Sequence, residues 1–181
     1  MIITTERLIL RDFVEEDWPT VWAYQRNPLY LRYYEWTEHR TPADARDFVR
    51  MFLDQQQQVP RIKFQLASTL RATGQLIGNC GIRLAQAGAH QADIGYELDP
   101  QYWGQGYASE AARAIVDYGF TQLNVHKIWS WCIADNIASA HVLEKLGMQL
   151  EGRLRENEYF KGRWWDTLMY GLLGREWQPV V

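Results

Sequence analysis

The chain has 181 residues, 47% of them hydrophobic and 23% charged, which suits one packed domain and excludes a disordered chain. Nineteen Lys and Arg against 22 Asp and Glu leave a net charge of −3, which argues against nucleic-acid binding while leaving room for a local anion site. Apolar runs stay far below the ~20 residues a membrane helix needs, and no basic-then-apolar signal layout opens the chain. A cytoplasmic protein without a membrane partner is expected. Cys80 and Cys132 are too few for a disulfide framework or zinc site and read as buried, reduced thiols. Nine Trp, ten Tyr and six Phe are accounted for mainly by packing.

From Arg7 to Phe13 apolar and polar residues alternate, the period of a half-buried strand. Asp17 before Trp18-Pro19 predicts a helix to about Arg26, ended by Asn27-Pro28. Thr41, Pro42 and Asp44 start a second helix with Ala45, Phe48, Val49 and Phe52 on one stripe. Ile62, Phe64 and Leu66 alternate with Lys63, Gln65 and Ala67; a turn at Ala72 to Gln75 and a return over Leu76 to Leu84 complete a β-hairpin. Ala92 to Leu98 is a further strand. Helical spacing runs from Ala108 to Phe120, a strand from Lys127 to Ile133, and a helix from Ala138 to Leu146 stopped by Gly147. Two strands, Met148 to Glu158 and Trp164 to Leu173, finish the chain. The order β-α-α-β-β-β-α-β-α-β-β predicts an α+β layered sheet in a single domain, 1–181.

The strand ending at Leu98 runs into Asp99-Pro100-Gln101-Tyr102-Trp103-Gly104-Gln105-Gly106-Tyr107-Ala108 and then a helix. Glycines allow close backbone approach, and the first helical amides lack internal partners, so this turn can cradle a phosphate or pyrophosphate. A plain strand-to-helix turn explains it equally well. A P-loop is excluded because the stretch has no lysine. A dinucleotide fingerprint is disfavoured by Ser109 in place of the third glycine and by a preceding hairpin rather than a βαβ unit.

Taken together, the motifs resemble the GNAT superfamily of N-acetyltransferases, in particular its RimJ/RimL-type ribosomal-protein branch. The resemblance rests on Thr5-Glu6-Arg7-Leu8-Ile9-Leu10-Arg11, Gly95-Tyr96-Glu97-Leu98, Trp103 to Ala108, Asn136-Ile137-Ala138-Ser139, Val142 to Met148, Glu151-Gly152 and Asp166. It implies a mixed central sheet of about seven strands with a splayed central pair, flanked by about four helices. It also implies acetyl-CoA as cosubstrate and no metal. The family signature Q/R-x-x-G-x-G/A fits in two registers, from Gln101 or from Trp103; the distance from the strand end favours Trp103-x-x-Gly106-x-Ala108. Cofactor contacts are then expected at Leu98, Gly104, Gln105, Gly106, Tyr107, Ala108, Asn136 and Ser139. Asn136 serves equally as a helix cap.

Acetyl transfer from a thioester needs a neutral amine, a stabilised oxyanion and a proton for the departing thiolate. The superfamily's usual tyrosine donor is replaced here by Leu143, and the resemblance points instead to Ser139 as donor and Glu158 as base, with Glu97 the second candidate. Ser139 as a helix first-turn residue and Glu158 as a solvated carboxylate remain open. Lone histidines 126 and 141 read as structural, and His39 and His90 carry no signal. Tyr30, Tyr33, Tyr34 and Trp36, with Tyr159, Phe160, Trp164 and Trp165 opposite, are the expected walls of the acceptor site. Such walls suit a peptide N-terminus, the expected acceptor, better than a polycation. Contact between two copies of the chain explains the aromatics equally. A polyamine or other small amine as acceptor, or a CoA-binding regulatory protein without turnover, is the alternative.

Overall fold

The computed structural model describes residues 1–35 and 41–178, so Trp36 and His39 lie outside the described residues. One sheet takes eight strands in the order β1-β2-β3-β4-β5-β6-β8-β7. The strands are β1 (Ile2–Thr4), β2 (Leu8–Arg11), β3 (Lys63–Leu70), β4 (Leu76–Leu84), β5 (Gln91–Leu98), β6 (Lys127–Ile133), β7 (Gln149–Phe160) and β8 (Arg163–Leu173). The expected count of about seven is one short. The opening segment turns at Thr5 to Arg7, where the Thr5 amide donates to the Leu8 carbonyl, and so yields two strands rather than one.

Among the described residues five helices, rather than about four, flank the sheet: α1 (Trp18–Gln25), α2 (Pro28–Leu31), α3 (Pro42–Gln56), α4 (Tyr107–Thr121) and α5 (Ile137–Lys145). Asn27-Pro28 ends α1 but also begins α2, because the Asn27 Oδ1 caps the Leu29 amide at 3.0 Å. Thr41 and Asp44 cap α3 reciprocally, as their spacing predicts. Asp17 does not cap α1 with its side chain. Its carboxylate instead binds Arg11 at 2.7 and 2.8 Å and the Val14 amide at 3.0 Å, tying β2 to the first helix.

On one face α4 and α5 pack Ile115 and Leu143 over Leu66, Ile82, Ile128 and Tyr170 of the sheet. On the other face α1 to α3 pack Val21, Tyr24, Val49 and Phe52 over Ala67 and Leu76. Each aliphatic side chain fully withdrawn from water contributes about 1.5–3 kcal/mol, which fixes the layer order. Because helices cover both faces, β3 and β4 are buried on both sides, and Gln65 and Asn79 are interior residues.

All neighbouring strands are antiparallel except β5 and β6. That parallel pair joins only Gln91 to Lys127, Ala92 to Ile128 and Asp93 to Trp129. The Ser130 hydroxyl then donates to the Ile94 carbonyl at 2.9 Å, and pairing stops. Beyond it β5 stays with β4 as far as Leu98, while β6 stays with β8 as far as Ile133. The two strands therefore splay.

Glu110 in the first turn of α4 fastens that helix to the β1–β2 turn. It accepts from the Thr5 hydroxyl at 2.6 Å, the Arg7 amide at 2.8 Å and the Arg7 Nε at 2.6 Å. Burial pushes its pKa up, but those hydrogen bonds and the guanidinium charge outweigh burial and hold it below the ordinary 4.5. A lowered folded-state pKa means that this stabilisation is complete above pH 4.5 and is lost as pH falls through the lowered value. Glu110→Gln should therefore cost about 1 kcal/mol near neutrality and clearly less near about pH 3, measured by urea unfolding. A pH-independent difference would contradict this anchor.

Candidate active site

The segment between β5 and α4 is built to leave amides exposed. Asp99 caps a single 3-10 turn over Pro100–Tyr102, accepting from the Gln101 amide at 3.0 Å. The Trp103 indole folds back and donates to the Leu98 carbonyl at 2.8 Å. Gly104 and Gly106 then take left-handed backbone conformations, φ +75° and +83°, and α4 starts at Tyr107. Such φ values favour glycine. Gly106 has no side chain to cap the helix, so the amides from Gln105 to Ala108 are left for an outside acceptor, with the positive end of the helix dipole behind them.

A Cβ on Gly104 would meet no atom within 4 Å beyond its chain neighbours, so the turn is open at that position. Arg7 frames it, with Nη1 on the Gln105 carbonyl at 2.9 Å and the guanidinium 4.4 Å from the Tyr107 ring centre. These features fit a pyrophosphate. Gln101 lies in the 3-10 turn, Gly106 is the residue before α4 and Ala108 its second residue, so the turn accommodates either register of the signature. At Leu98, an expected cofactor contact, the carbonyl is already engaged by the Trp103 indole.

Where β5 leaves β6, its backbone is open on one side. The His90 carbonyl and Ile94 carbonyl face β6, whereas the Asp99 amide faces β4. Alternation therefore turns the N–H and C=O of Tyr96 and the N–H of Leu98 into the splay. Asn136 caps α5, its Oδ1 accepting from the Ser139 amide at 3.2 Å, which leaves its NH2 end as a donor. Ser139 meets Tyr96: the phenol donates to the Ser139 carbonyl at 2.9 Å and lies 3.0 Å from its hydroxyl. Burial holds the Tyr96 phenol well above its usual pKa, so it stays protonated. The position where the family usually has a tyrosine, Leu143, is fully buried in the core. A phenol reaches the α5 side of the splay from β5 instead.

Side chains alternate along β5, so Glu97 points to the opposite face, beneath α1 and α2. Its Oε1 accepts from Tyr24 at 2.7 Å, from Gln25 at 3.3 Å and from Asn79. Its Oε2 accepts from Tyr30 and, at 3.4 Å, from Tyr34. Burial, followed by the Glu97 charge, raises the Tyr24 and Tyr30 pKa values, which keeps both as donors. Tyr33 reaches the β6 side of the splay: its hydroxyl donates to the Asp135 carbonyl at 2.8 Å and its ring packs nearly perpendicular to that of Trp165. Lys161, at the β7–β8 turn, donates to the Leu31 carbonyl and to the Arg32 carbonyl at 3.2 Å. The α2 segment is thus strapped across the opening.

Glu158 lies on edge strand β7 opposite Trp165, half-buried, with Asn157 donating to it at 3.2 Å. It shares the Glu97 face of the sheet, while Ser139 and Tyr96 occupy the other face. Sequence reasoning missed Tyr24, Asn79 and Tyr96. The alternation back from Leu98 was the available signal for Tyr96; for Tyr24 and Asn79 there was none, since only the fold brings them to Glu97. Among the described residues no group of three or more His, Cys, Asp or Glu is placed to hold a metal ion.

Gly104 and the hairpin residue Gly74 make a matched pair, both left-handed and both with open space around a Cβ. Alanine at either should cost about 1–2 kcal/mol of backbone strain. Only Gly104→Ala should also weaken binding of CoA, read as a smaller CoA-induced rise in Tm; NAD should raise Tm in neither. Equal CoA responses in the two variants would move the cradle elsewhere.

Residues 7–149 match the family described as the acetyltransferase (GNAT) domain. An uncharacterized N-acetyltransferase, p20, of Bacillus licheniformis is 36% identical over 173 residues, 96% of each chain. A GNAT-family acetyltransferase structure from Bacillus anthracis superposes with a TM-score of 0.85 at 31% identity, covering 97% of this chain and 100% of that one. A ribosomal-protein-S5-alanine acetyltransferase from Vibrio fischeri shares the fold, with a TM-score of 0.78 at 22% identity over 99% and 100% of the two chains. The chain belongs to the GNAT acetyltransferase family, as an N-acetyltransferase with acetyl-CoA as its cosubstrate.

Proposed function

We propose that the acceptor is a protein N-terminal α-amine, of the kind acetylated by RimJ/RimL-type ribosomal-protein enzymes, and that the protein acts in the cytoplasm. The acceptor enters on the α1–α3 face. There Glu97 offers a carboxylate in a tyrosine-lined recess, while Asp93 and Asp135 are paired with Arg83 and Arg163. The single charge of an α-amine is met by the recessed Glu97, with Glu158 at its approach. A polyamine would need several carboxylates left open to it.

The observation that carries the reaction scheme is that consecutive residues of β5, Tyr96 and Glu97, serve opposite faces of the sheet at the splay. The thioester lies between them, its pyrophosphate on the Gly104–Ala108 turn and its pantetheine arm against Tyr96, Leu98 and Asn136. Glu97 takes the amine proton from one side; Ser139, oriented by Tyr96, serves the leaving thiolate from the other. Glu158, the second carboxylate on the acceptor face, draws the ammonium toward the recess, with Tyr33 and Tyr34 lining its path. Transfer is direct. Burial pushes the Cys80 thiol up to about 12 and the Cys132 thiol up to about 11, so neither is a nucleophile at neutral pH.

The test is thiol release from acetyl-CoA with peptides beginning in Ser or Ala, spermidine and an aminoglycoside. Peptides should be preferred; a strong preference for spermidine overturns the acceptor assignment. Glu97→Gln should lower kcat by about 10²–10⁴-fold with CoA affinity retained. Glu158→Gln should mainly raise the KM for peptide. If Glu158→Gln removes the acid limb of the rate profile while Glu97→Gln keeps it, Glu158 is the base.

A further inference from the structure

The hydrogen bonds around Glu97 continue away from the splay, across the sheet. Asn79, which donates to Oε1 of Glu97, accepts at its own Oδ1 from Gln65 Nε2. Gln65 in turn accepts at Oε1 from Arg83 Nη1 at 3.2 Å, and Arg83 is held by Asp93, with Nε donating at 2.7 Å. Gln65 and Asn79 are 6% and 2% exposed, so water does not compete for these contacts. Two facing glycines clear the lane they occupy: a Cβ on Gly81 would lie 2.3 Å from Gln65 Oε1, and one on Gly95 2.8 Å from Arg83 Nη2.

A primary amide has a donor end and an acceptor end, and either can face a neighbour. Here the two ends of the chain decide the matter. A guanidinium can only donate and an ionised carboxylate can only accept, so each amide between them must turn its oxygen toward Arg83 and its NH2 toward Glu97. A proton on Oε1 would oppose the NH2 groups of Asn79 and Gln25, which can only donate. Reversing the amides would leave Arg83 facing another donor. On Oε2 the contacts are the Tyr30 and Tyr34 hydroxyls, which can rotate and accept.

We propose that Gln65 and Asn79 are positioning residues: with Arg83 they form a one-way donor chain that closes Oε1 of Glu97 to protonation and leaves Oε2, beside Tyr30 and Tyr34, to take the acceptor's proton. This rests on the reading of Glu97 as the base. In the transfer the amine nitrogen bonds to the thioester carbon, and the C–S bond breaks with its electron pair on the CoA sulfur. The arriving ammonium first gives one proton to solvent; in the transfer one proton passes from nitrogen to Oε2, one passes from the Ser139 side to sulfur, and solvent restores both groups.

The groups facing Glu97 are Tyr24 and Gln25 from α1, Tyr30 and Tyr34 from α2 and the turn after it, and Asn79 from β4; Gln65, Arg83 and Asp93 act through Asn79. Gln65→Glu puts an acceptor where the chain needs a donor, so Asn79 turns its NH2 back and its oxygen toward Glu97. The acid limb of kcat/KM, followed with the amine that turns over fastest, should then move to higher pH by about one unit or more. Gln65→Met, which cuts the chain without adding charge, should move it in the same direction by less. Both should keep the CoA-induced rise in Tm, which a loss of fold would not. With Glu97→Gln abolishing the limb, an unmoved limb in folded Gln65 variants overturns the chain alone. A limb that survives Glu97→Gln overturns the base assignment and the chain with it. Should Gln65→Glu fail to fold, Gln65→Met decides on the same criterion.

Discussion

Three residue pairs hold β5 to β6, and the chemistry of this protein follows from where that pairing ends. Past Ile94 each strand keeps its outer neighbour, so the opening is rigid rather than frayed: β4 fixes β5, and β8 fixes β6. Backbone groups of Tyr96 and Leu98 are left without a strand partner. A buried, unpaired backbone group costs on the order of 1–3 kcal/mol, which an amide-bearing ligand arm in the gap would offset. The Ser130 hydroxyl closes the seam by standing in for a backbone donor at Ile94.

From that opening, strand alternation distributes the side chains. Neighbouring residues of β5 point to opposite faces, so Tyr96 meets Ser139 under α5 while Glu97 meets tyrosines under α1 and α2. Bringing a carboxylate into this interior is unfavourable unless it is fully hydrogen-bonded, and five donors meet the requirement. The cradle depends on a separate fastening. Glu110 and Arg7 couple the glycine turn to the β1–β2 turn, which gives the Thr5-Glu6-Arg7 segment a structural reason to lie beside the cofactor turn.

The glycine turn was legible because Gly104 and Gly106 do there what only glycine does easily, and α3 because its cap is local in sequence. Other features depended on distant partners. Asp17 reads as a helix cap, yet Arg11, six residues earlier, takes its carboxylate. Gln65 reads as the exposed face of an alternating strand, but α1 to α3 cover that face, and burial turns a surface residue into part of a network. Asn27-Pro28 reads as a stop, although the same side-chain geometry that ends one helix caps the next. Ser139 and Glu158 arrive together from the family resemblance, whereas the sheet sets them on opposite faces. That separation follows from register, which sets Glu158 opposite Trp165 on the face of Ile133, and the pairing of β7 with β8 is interrupted by irregularities that no local pattern announces.

The central claim is that the cosubstrate lies in the splay against β5, and residue-resolved amide hydrogen exchange tests it most directly. Saturating acetyl-CoA should slow exchange at Tyr96 and Leu98, whose N–H groups face the gap. It should leave Gly95 and Glu97, which face β4, nearly unchanged. Unaltered exchange at Tyr96 and Leu98 with acetyl-CoA bound would contradict the account.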